Sequence, residues 1–245
     1  MKVLVAIKAI ADPSVAVRVL PDGFGLDRSN ARLVMNPYDE VALEAAVQLR
    51  EQGVAALVTA VAFGGPECEA VLRTALAMGA ERAIRIDAPA GPDVLAAAAA
   101  LREVAIEETA DLVLTGKQAA DDDRGDLGPM VAALLGWPQA TAASAIRVSD
   151  GVAYVRRETD MGAVDIAADL PCVITTDPRL NAPRFAPLGA VLAARKAQIA
   201  LRAVAPRNGT AARAEHYALA ERQRECVHVS DARELVRALR QRGAL

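Results

Sequence analysis

The strongest constraint on the fold of this chain is an alternation, over its first 135 residues, of short apolar runs with longer segments of helical pattern. Residues 3–7, 57–63 and 111–115 are largely apolar and contain β-branched side chains. Such runs are typical of strands that are buried on both faces of a parallel sheet. Because parallel strands need long crossover connections, the alternation predicts an α/β fold with a doubly wound, mostly parallel sheet.

Helix signals fill the intervals between these runs. Asn36 and Pro37 stand where a cap and a first helical residue are expected, and Asp39 and Glu40 follow in the first turn. The pattern predicts a short strand at 83–86 and helices over residues 37–53, 64–78, 92–109 and 125–135.

The pattern changes after Trp137 and Pro138. A β-hairpin is expected around Ser149-Asp150-Gly151, then a strand at 164–167 and a return to the main sheet at 171–176. Residues 177–213 have no strong period and predict an extended arm, whereas Ser230 and Asp231 cap a final helix. We therefore expect an α/β domain over residues 1–180, followed at 181–245 by the arm and the terminal helix.

Charge and composition exclude some classes of partner. The formal net charge is −3 and the pI is about 5.5, whereas a nucleic-acid binder needs a basic surface. The apolar start, residues 1–10, is too short to cross a bilayer and has no cleavage site after it. Cys68, Cys172 and Cys226 have neither metal-site spacing nor a disulfide framework. We expect a cytoplasmic protein without nucleic-acid binding or membrane insertion.

Ligands of open α/β sheets bind at the carboxyl ends of the strands. The loops after Ile7, Phe63 and Thr115 belong there, and the third, residues 116–129, is the most unusual. It opens with Gly116, which permits close approach of a ligand to the backbone, and leads into a predicted helix N-terminus. Because such a terminus favours an anion, the loop predicts a phosphate site.

The charges of this loop leave two interpretations open. Three consecutive aspartates, residues 121–123, would repel a phosphate unless they point away or a cation intervenes. Backbone N–H groups, Lys117 or Arg124 must then hold the phosphate; the alternative is that the aspartates are solvated helix caps. Lys8 likewise is either a ligand contact or a solvated side chain.

Familiar catalytic patterns are absent from the sequence. It contains no phosphate-binding G-x-x-x-x-G-K-[ST] loop, no G-x-G-x-x-G fingerprint and no G-x-S-x-G elbow. His216 and His228 both lie in the C-terminal tail, outside the predicted sheet loops. Without a nucleophile and a base that the fold would bring together, the pattern favours a binding function.

Six motifs resemble those of the electron-transfer flavoprotein beta subunits, in the family's order and over roughly residues 1–200. They are V-A-x-K (5–8), M-N-P-aromatic (35–38), R-T-A-L-A-M-G-A-[DE]-R (73–82), G-K-Q-A-x-D-D-D (116–123), W-P-Q (137–139) and L-N-x-P-R-[YF] (180–185). The resemblance implies an adenine nucleotide alpha hydrolase-like fold and a non-catalytic subunit of a heterodimer.

The family resemblance also implies cofactors and their residues. The alpha subunit supplies most of the FAD site, and the beta subunit holds AMP. The positions that match the AMP contacts are Ala6, Asn36, Pro37, Tyr38, Asp39, Phe63, Gly116, Lys117, Gln118, Ala119, Ala120, Asp121, Asp122, Asp123, Arg124, Gly125, Asp126 and Leu127. Tyr38 and Glu158 match residues near the flavin and its mobile domain. Arg124-Gly125-Asp126-Leu127 stand where familiar members carry amide and hydroxyl side chains.

The arm after Leu180 matches the family's recognition loop for flavin dehydrogenases, with Leu188 as the anchor. Arg195 and Lys196 are its basic residues. The resemblance also implies that electrons pass onward to a quinone-linked oxidoreductase. Three alternatives remain: a bifurcating-type subunit with a second FAD in place of AMP, an adenine-nucleotide enzyme of the same superfamily, and a stand-alone nucleotide sensor that resembles the universal stress proteins.

Overall fold

A computed structural model describes residues 1–16, 18–27, 32–88, 93–203, 215–219 and 226–245. The chain divides into two compact units, one of residues 1–17 and 27–213 and one of residues 18–26 and 214–245. Among the described residues, no helix combines the length and the apolar character needed to cross a membrane.

The first unit contains a nine-stranded sheet in the order β11-β5-β4-β1-β6-β10-β7-β8-β9 and a separate antiparallel pair, β2-β3. All neighbours from β11 to β7 are parallel, and β7, β8 and β9 continue as an antiparallel meander. The strands are β1 Lys2–Ile7, β2 Ala9–Ala11, β3 Leu33–Met35, β4 Leu57–Phe63, β5 Arg82–Asp87, β6 Leu112–Gly116, β7 Gln139–Ser149, β8 Val152–Thr159, β9 Gly162–Asp169, β10 Cys172–Thr176 and β11 Ala200–Ala203.

In the described part of this unit, five helices cover the sheet, and a 3₁₀ turn at Pro66–Cys68 leads into the second of them. The helices are α1 Pro37–Glu51, α2 Glu69–Met78, α3 Val94–Glu107, α4 Leu127–Leu135 and α5 Leu188–Lys196. The predicted doubly wound sheet and the predicted hairpin are both confirmed. The pair β2-β3 was not predicted, because each of its strands is only three residues long.

Two apolar cores lie on opposite faces of the sheet. Because side chains alternate along a strand, Val3, Val5 and Ile7 of β1 join one core, and Leu4 and Ala6 join the other. Helices α1 and α2 pack in the first core, and α3 and α4 in the second. Burial on both faces explains why β1 is uninterruptedly apolar.

The prediction of an extended arm over residues 177–213 is wrong at residues 188–196 and 200–203. Residues 188–196 form α5, and β11 adds a ninth strand that pairs in parallel with β5. Ala194 is the one residue of α5 that is buried. A helix that buries so little needs no apolar stripe, so the sequence shows no helical period there. Residues 204–213 of the predicted arm lie outside the described residues.

The second unit contains the final helix, α6, at Ala232–Gln241. The Asp231 carboxylate accepts a hydrogen bond from the Glu234 N–H, and the Glu234 carboxylate accepts bonds from the N–H and the hydroxyl of Ser230. These bonds join the first turn of the helix to the two residues before it and confirm the predicted start of the helix. In the same unit, an antiparallel bridge joins Val19 and Leu26.

Candidate functional site

The three loops predicted to carry a ligand lie side by side. Strands β4, β1 and β6 are consecutive neighbours in the sheet, and they run parallel. Their carboxyl ends, at Phe63, Ile7 and Gly116, therefore meet at one edge, which we call the β1–β6 edge. Helix α1 begins at this edge, because β3 brings Asn36 to it: the Asn36 N–H donates to the Lys8 carbonyl at 2.9 Å.

A buried carboxylate joins two of the strand ends. Asp39, in the first turn of α1 and only 6% exposed, accepts hydrogen bonds from the N–H of Lys8 at 2.8 Å and of Gly116 at 2.9 Å. Burial raises the pKa of this carboxyl to about 7, although both backbone bonds favour the ionised form. The Asp39 side chain thus occupies the first amide beyond β1 and the last amide of β6.

The side chain of Asn36 has a different role from the one predicted for it. It is the residue before α1, but its side chain accepts no hydrogen bond from the backbone N–H groups at the start of the helix, so the predicted cap is wrong. Its Nδ2 donates to the Gln118 carbonyl at 2.9 Å, and its Oδ1 accepts from the Ala120 N–H at 3.1 Å. Because a tight turn in the long loop offers these two groups, the amide side chain is used there and not at the helix start.

The long loop after β6 depends on close approaches that only glycine permits. A Cβ on Gly116 would lie 2.5 Å from the Cβ of Tyr38, and one on Gly125 would lie 2.8 Å from the Lys117 carbonyl oxygen. A Cβ on Gly128, at the start of α4, would lie 2.4 Å from Cγ2 of Thr175. Glycine at these positions lets α1, the loop and α4 pack tightly onto the strand ends.

Basic side chains beside the loop are paired with carboxylates. Lys8 Nζ lies 2.6 Å from an oxygen of Asp121 and 3.0 Å from one of Asp122. The guanidinium of Arg124 bonds to Asp126 at 2.6 Å. Lys8 therefore supplies the cation that the aspartates require if an anion is to bind nearby.

A further ion pair lies at the neighbouring strand end, where β10 adjoins β6. Lys117 Nζ lies 2.9 Å from the buried Asp177 carboxylate and 5.7 Å from the centroid of the Tyr38 ring. Arg179 bonds to Asp177 at 2.8 Å and to Glu158 at 3.0 Å. Hydrogen bonds from Arg179, together with Lys117, hold the pKa of the Asp177 carboxyl well below its usual range, against the effect of burial.

Asp177 and Arg179 were not predicted from the sequence. They connect Glu158, which was predicted to lie near a flavin, with Lys117 and Tyr38 at the β1–β6 edge. One signal pointed to them: Asp177 directly follows an apolar run that was predicted to return to the main sheet. The strand order was not predicted, so the sequence did not place this carboxylate beside β6.

The remaining predicted partner contacts lie on a different element. Leu188 is 75% exposed, and it is the first residue of α5 and not part of an irregular arm. Arg195 and Lys196 form the last turn of the same helix. Phe185, at 99%, and Leu192, at 50%, are also exposed. We call Phe185, Leu188 and Leu192 the α5 patch.

Comparison with known proteins shows the family. The protein-family model described as "Electron transfer flavoprotein domain" matches residues 23–207 of the chain. The electron transfer flavoprotein subunit beta of Bradyrhizobium diazoefficiens is 45% identical over 205 residues, which is 84% of this chain and 82% of that protein. The chain belongs to the electron transfer flavoprotein beta-subunit family.

Similarity to this family extends across kingdoms. The mitochondrial electron transfer flavoprotein subunit beta of Oryza sativa subsp. japonica is 46% identical over 199 residues, 80% of this chain and 79% of that protein. The electron transfer flavoprotein subunit beta of Homo sapiens is 42% identical over 205 residues, 81% of this chain and 80% of that protein. The resemblance inferred from six short motifs is therefore confirmed.

For an electron transfer flavoprotein beta subunit, the predicted residues fall into three groups. Ala6, Asn36, Asp39, Phe63 and the loop 116–127 meet at the β1–β6 edge, with Pro37 and Tyr38 at the start of α1. Glu158 is an exposed residue of β8 that Arg179 links to this edge. Leu188, Arg195 and Lys196 form the third group and lie on α5.

Proposed function

We propose that this chain is the beta subunit of a heterodimeric electron-transfer flavoprotein, that it holds AMP at the β1–β6 edge, and that an alpha subunit supplies most of the FAD site. One observation carries the proposal: in a member of this family, the loop 116–127 meets Asn36 and Asp39 at the carboxyl ends of adjacent parallel strands. Ligands of open α/β sheets bind at such ends.

The residues at this edge fit a nucleotide. The first N–H groups of α4, at Leu127 and Gly128, have no acceptor within the helix and carry a partial positive charge that favours a phosphate. Lys8 offsets the charge of Asp121 and Asp122. Because Asp39 occupies the amides of Lys8 and Gly116, we assign the phosphate to the start of α4 and not to those strand ends.

The part of this chain in electron transfer is to bind and orient. A bound FAD supplies the redox chemistry, and we assign Tyr38 and Glu158 to its surroundings. Arg179 and Asp177 fix Glu158 relative to Lys117 and Tyr38 by the ion pairs described above. We assign no catalytic residue to the chain itself.

We further propose that the α5 patch docks flavin dehydrogenases. Phe185, Leu188 and Leu192 expose large apolar side chains, and Leu188 and Leu192 are four residues apart, on one face of α5. Side chains that become fully buried in a partner's pocket near the centre of an interface carry much of its binding energy. Arg195 and Lys196 supply a basic rim. The electrons then pass to a quinone-linked oxidoreductase.

Residues 181–245 include, in this proposal, the segment that packs on the alpha subunit. Helix α6 has no buried residue within the described chain, and Leu235 and Val236 are 46% and 40% exposed. An amphipathic helix gains stability when its apolar face is covered.

We place the assembled protein in the cytoplasm.

The identity of the bound nucleotides tests the proposal directly. The chain is co-expressed with an alpha subunit of the family, the complex is purified and denatured, and the released nucleotides are quantified by mass spectrometry. One FAD and one AMP for each complex are expected. Two FAD would replace the proposal with the bifurcating type, and a stable monomer that binds a nucleotide without any alpha subunit would contradict the heterodimer.

A matched pair of variants assigns the AMP to the β1–β6 edge. Asn36→Ala removes both hydrogen bonds to the loop and is expected to lower the AMP content while FAD is retained. Asp165→Asn, which removes a carboxylate on the exposed side of β9, serves as the control and leaves both contents unchanged. Equal AMP retention in the two variants would argue against this site.

A further inference from the structure

Arg73 of helix α2 caps the end of α5. Its Nη1 donates to three carbonyl oxygens: Ala194 at 2.8 Å, Arg195 at 3.0 Å and Ala197 at 3.1 Å. The last carbonyls of a helix have no donor within it, and they carry a partial negative charge that a cation stabilises. A single guanidinium from a neighbouring helix thus satisfies the terminus that follows the basic residues of α5.

Helix α5 packs against α2, but it buries little side-chain surface there. Ala194 alone is buried, and Pro187, before the first turn, offers no side-chain cap. Before the helix, Arg184 binds Glu44 and Glu51 of α1 and so holds the incoming chain. Arg73 is the corresponding anchor after the helix, so that one arginine fixes each end of the segment 184–197.

The side chain of Arg73 is itself held in place. Its Nη2 lies 3.5 Å from Glu69, one turn earlier on α2. Glu69 also lies 3.5 Å from the buried Arg85 of β5, which donates to the Gly64 carbonyl at 3.2 Å. This chain of contacts fixes the guanidinium relative to the sheet, and therefore fixes the end of α5 relative to the sheet.

We propose that Arg73 is a positioning residue for dehydrogenase docking: by capping α5 it holds the α5 patch in the orientation that a partner binds. This inference rests on the docking role given to that patch above. Arg73 itself lies at the opposite end of α5 from Leu188 and contacts backbone carbonyls. With Arg73 in place, α5 is already ordered before the partner binds, so binding loses less conformational entropy. Such pre-organisation raises affinity without a new contact.

The test uses the FAD-loaded complex of this chain with its alpha subunit and a purified acyl-CoA-type flavin dehydrogenase as the electron donor. The rate of flavin reduction is measured against the concentration of the complex. Arg73→Ala is expected to raise the half-saturating concentration by about threefold to tenfold, and the saturating rate is expected to stay within about twofold. Arg73→Lys keeps the charge but has only one compact ammonium group. Its half-saturating concentration is therefore expected to lie between those of the wild type and Arg73→Ala.

Arg102 provides a matched control. It is an arginine on α3 whose Nε donates to the Leu134 carbonyl at the end of α4, at 3.0 Å, so Arg102→Ala removes the same type of contact from a helix without the patch. This variant is expected to leave the half-saturating concentration unchanged. An equal rise in both variants would overturn the proposal, because it would report general loosening of the fold.

Two further measurements separate this inference from the docking role. If Leu188→Ala raises the half-saturating concentration and Arg73→Ala does not, Arg73 has no positioning role; if Leu188→Ala has no effect, the docking assignment itself is wrong. The double variant, Arg73→Ala with Leu188→Ala, is expected to have no higher a half-saturating concentration than Leu188→Ala alone. In Arg73→Lys, hydrogen exchange is expected to quicken for the amides of 188–197 only, and unchanged exchange there would count against the proposal.

Discussion

The β1–β6 edge and the α5 segment are both held by polar contacts, but the surroundings of those contacts differ. At the edge, Asn36 and Asp39 are 1% and 6% exposed, and their partners are backbone groups of the strand ends and the long loop. At α5, the side chains of Arg73 and Arg184 are each 33% exposed. The first region is buried and satisfied internally, whereas the second is held from its two ends while its apolar side chains face outward.

This difference predicts different sensitivities. Removing one partner of a buried hydrogen bond costs about 1–3 kcal/mol, because the other partner is left unsatisfied, whereas an exposed ion pair contributes about 0–1 kcal/mol. Substitutions at the edge are therefore expected to lower global stability, and substitutions at α5 to alter binding while the fold persists.

The largest expected effect compares two glycines. Gly116→Ala places a Cβ 2.5 Å from that of Tyr38, and is expected to lower the free energy of unfolding by about 3 kcal/mol. Gly189→Ala, in α5, meets no atom within 4 Å and is expected to raise helix stability by about 0.5–1 kcal/mol. Urea unfolding followed by circular dichroism measures both. Equal effects would remove the contrast between the regions.

The next effect is the pH dependence conferred by Asp39. Burial raises the pKa of its carboxyl from 3.8 to about 7, so the folded state binds this proton more tightly than the unfolded state. The stabilisation is complete below about pH 4 and is lost as the pH rises through about 7, by on the order of 2 kcal/mol between pH 5 and pH 8. The unfolding midpoint is measured at each pH in this range. Its dependence on pH should disappear in Asp39→Asn and persist in Asp165→Asn.

Glu44, which binds Arg184 before α5, is expected to show the opposite sign. Burial acts to raise the pKa of this carboxyl, but the hydrogen bonds from Arg184 outweigh it and leave the pKa lowered. Its stabilisation is present above the ordinary value of 4.5 and is lost as the pH falls below that value. Glu44→Gln should lose this acid-side component in the same unfolding series; if the component persists, Glu44 is not the group that causes it.

The smallest effect concerns the basic rim of α5. Arg195 and Lys196 are exposed, and charges at the rim of an interface mainly alter the association rate and its salt dependence. The double substitution to alanine is expected to raise the half-saturating concentration for the dehydrogenase by about twofold to threefold at low salt, and to have no effect at about 0.5 M salt. A rise that persists at high salt would show a direct packing role.

The sequence by itself determined the parallel sheet with strands buried on both faces, the family, and the long loop that lies at the β1–β6 edge. These features depend on local properties: a strand buried on both faces must be apolar throughout, and a close approach requires glycine wherever it occurs, as at Gly116 and Gly128. Both signals are visible in a few consecutive residues.

Only the tertiary structure decided which polar groups meet. Asp39 bonds across 31 and 77 residues, Asn36 across 82 and 84, and Arg73 across 121 to 124. The helix α5 was missed for a related reason, since it is held at its ends by arginines and buries almost nothing. A hydrogen bond requires two groups within about 3 Å, and for groups so far apart in the chain the folded geometry alone sets that distance.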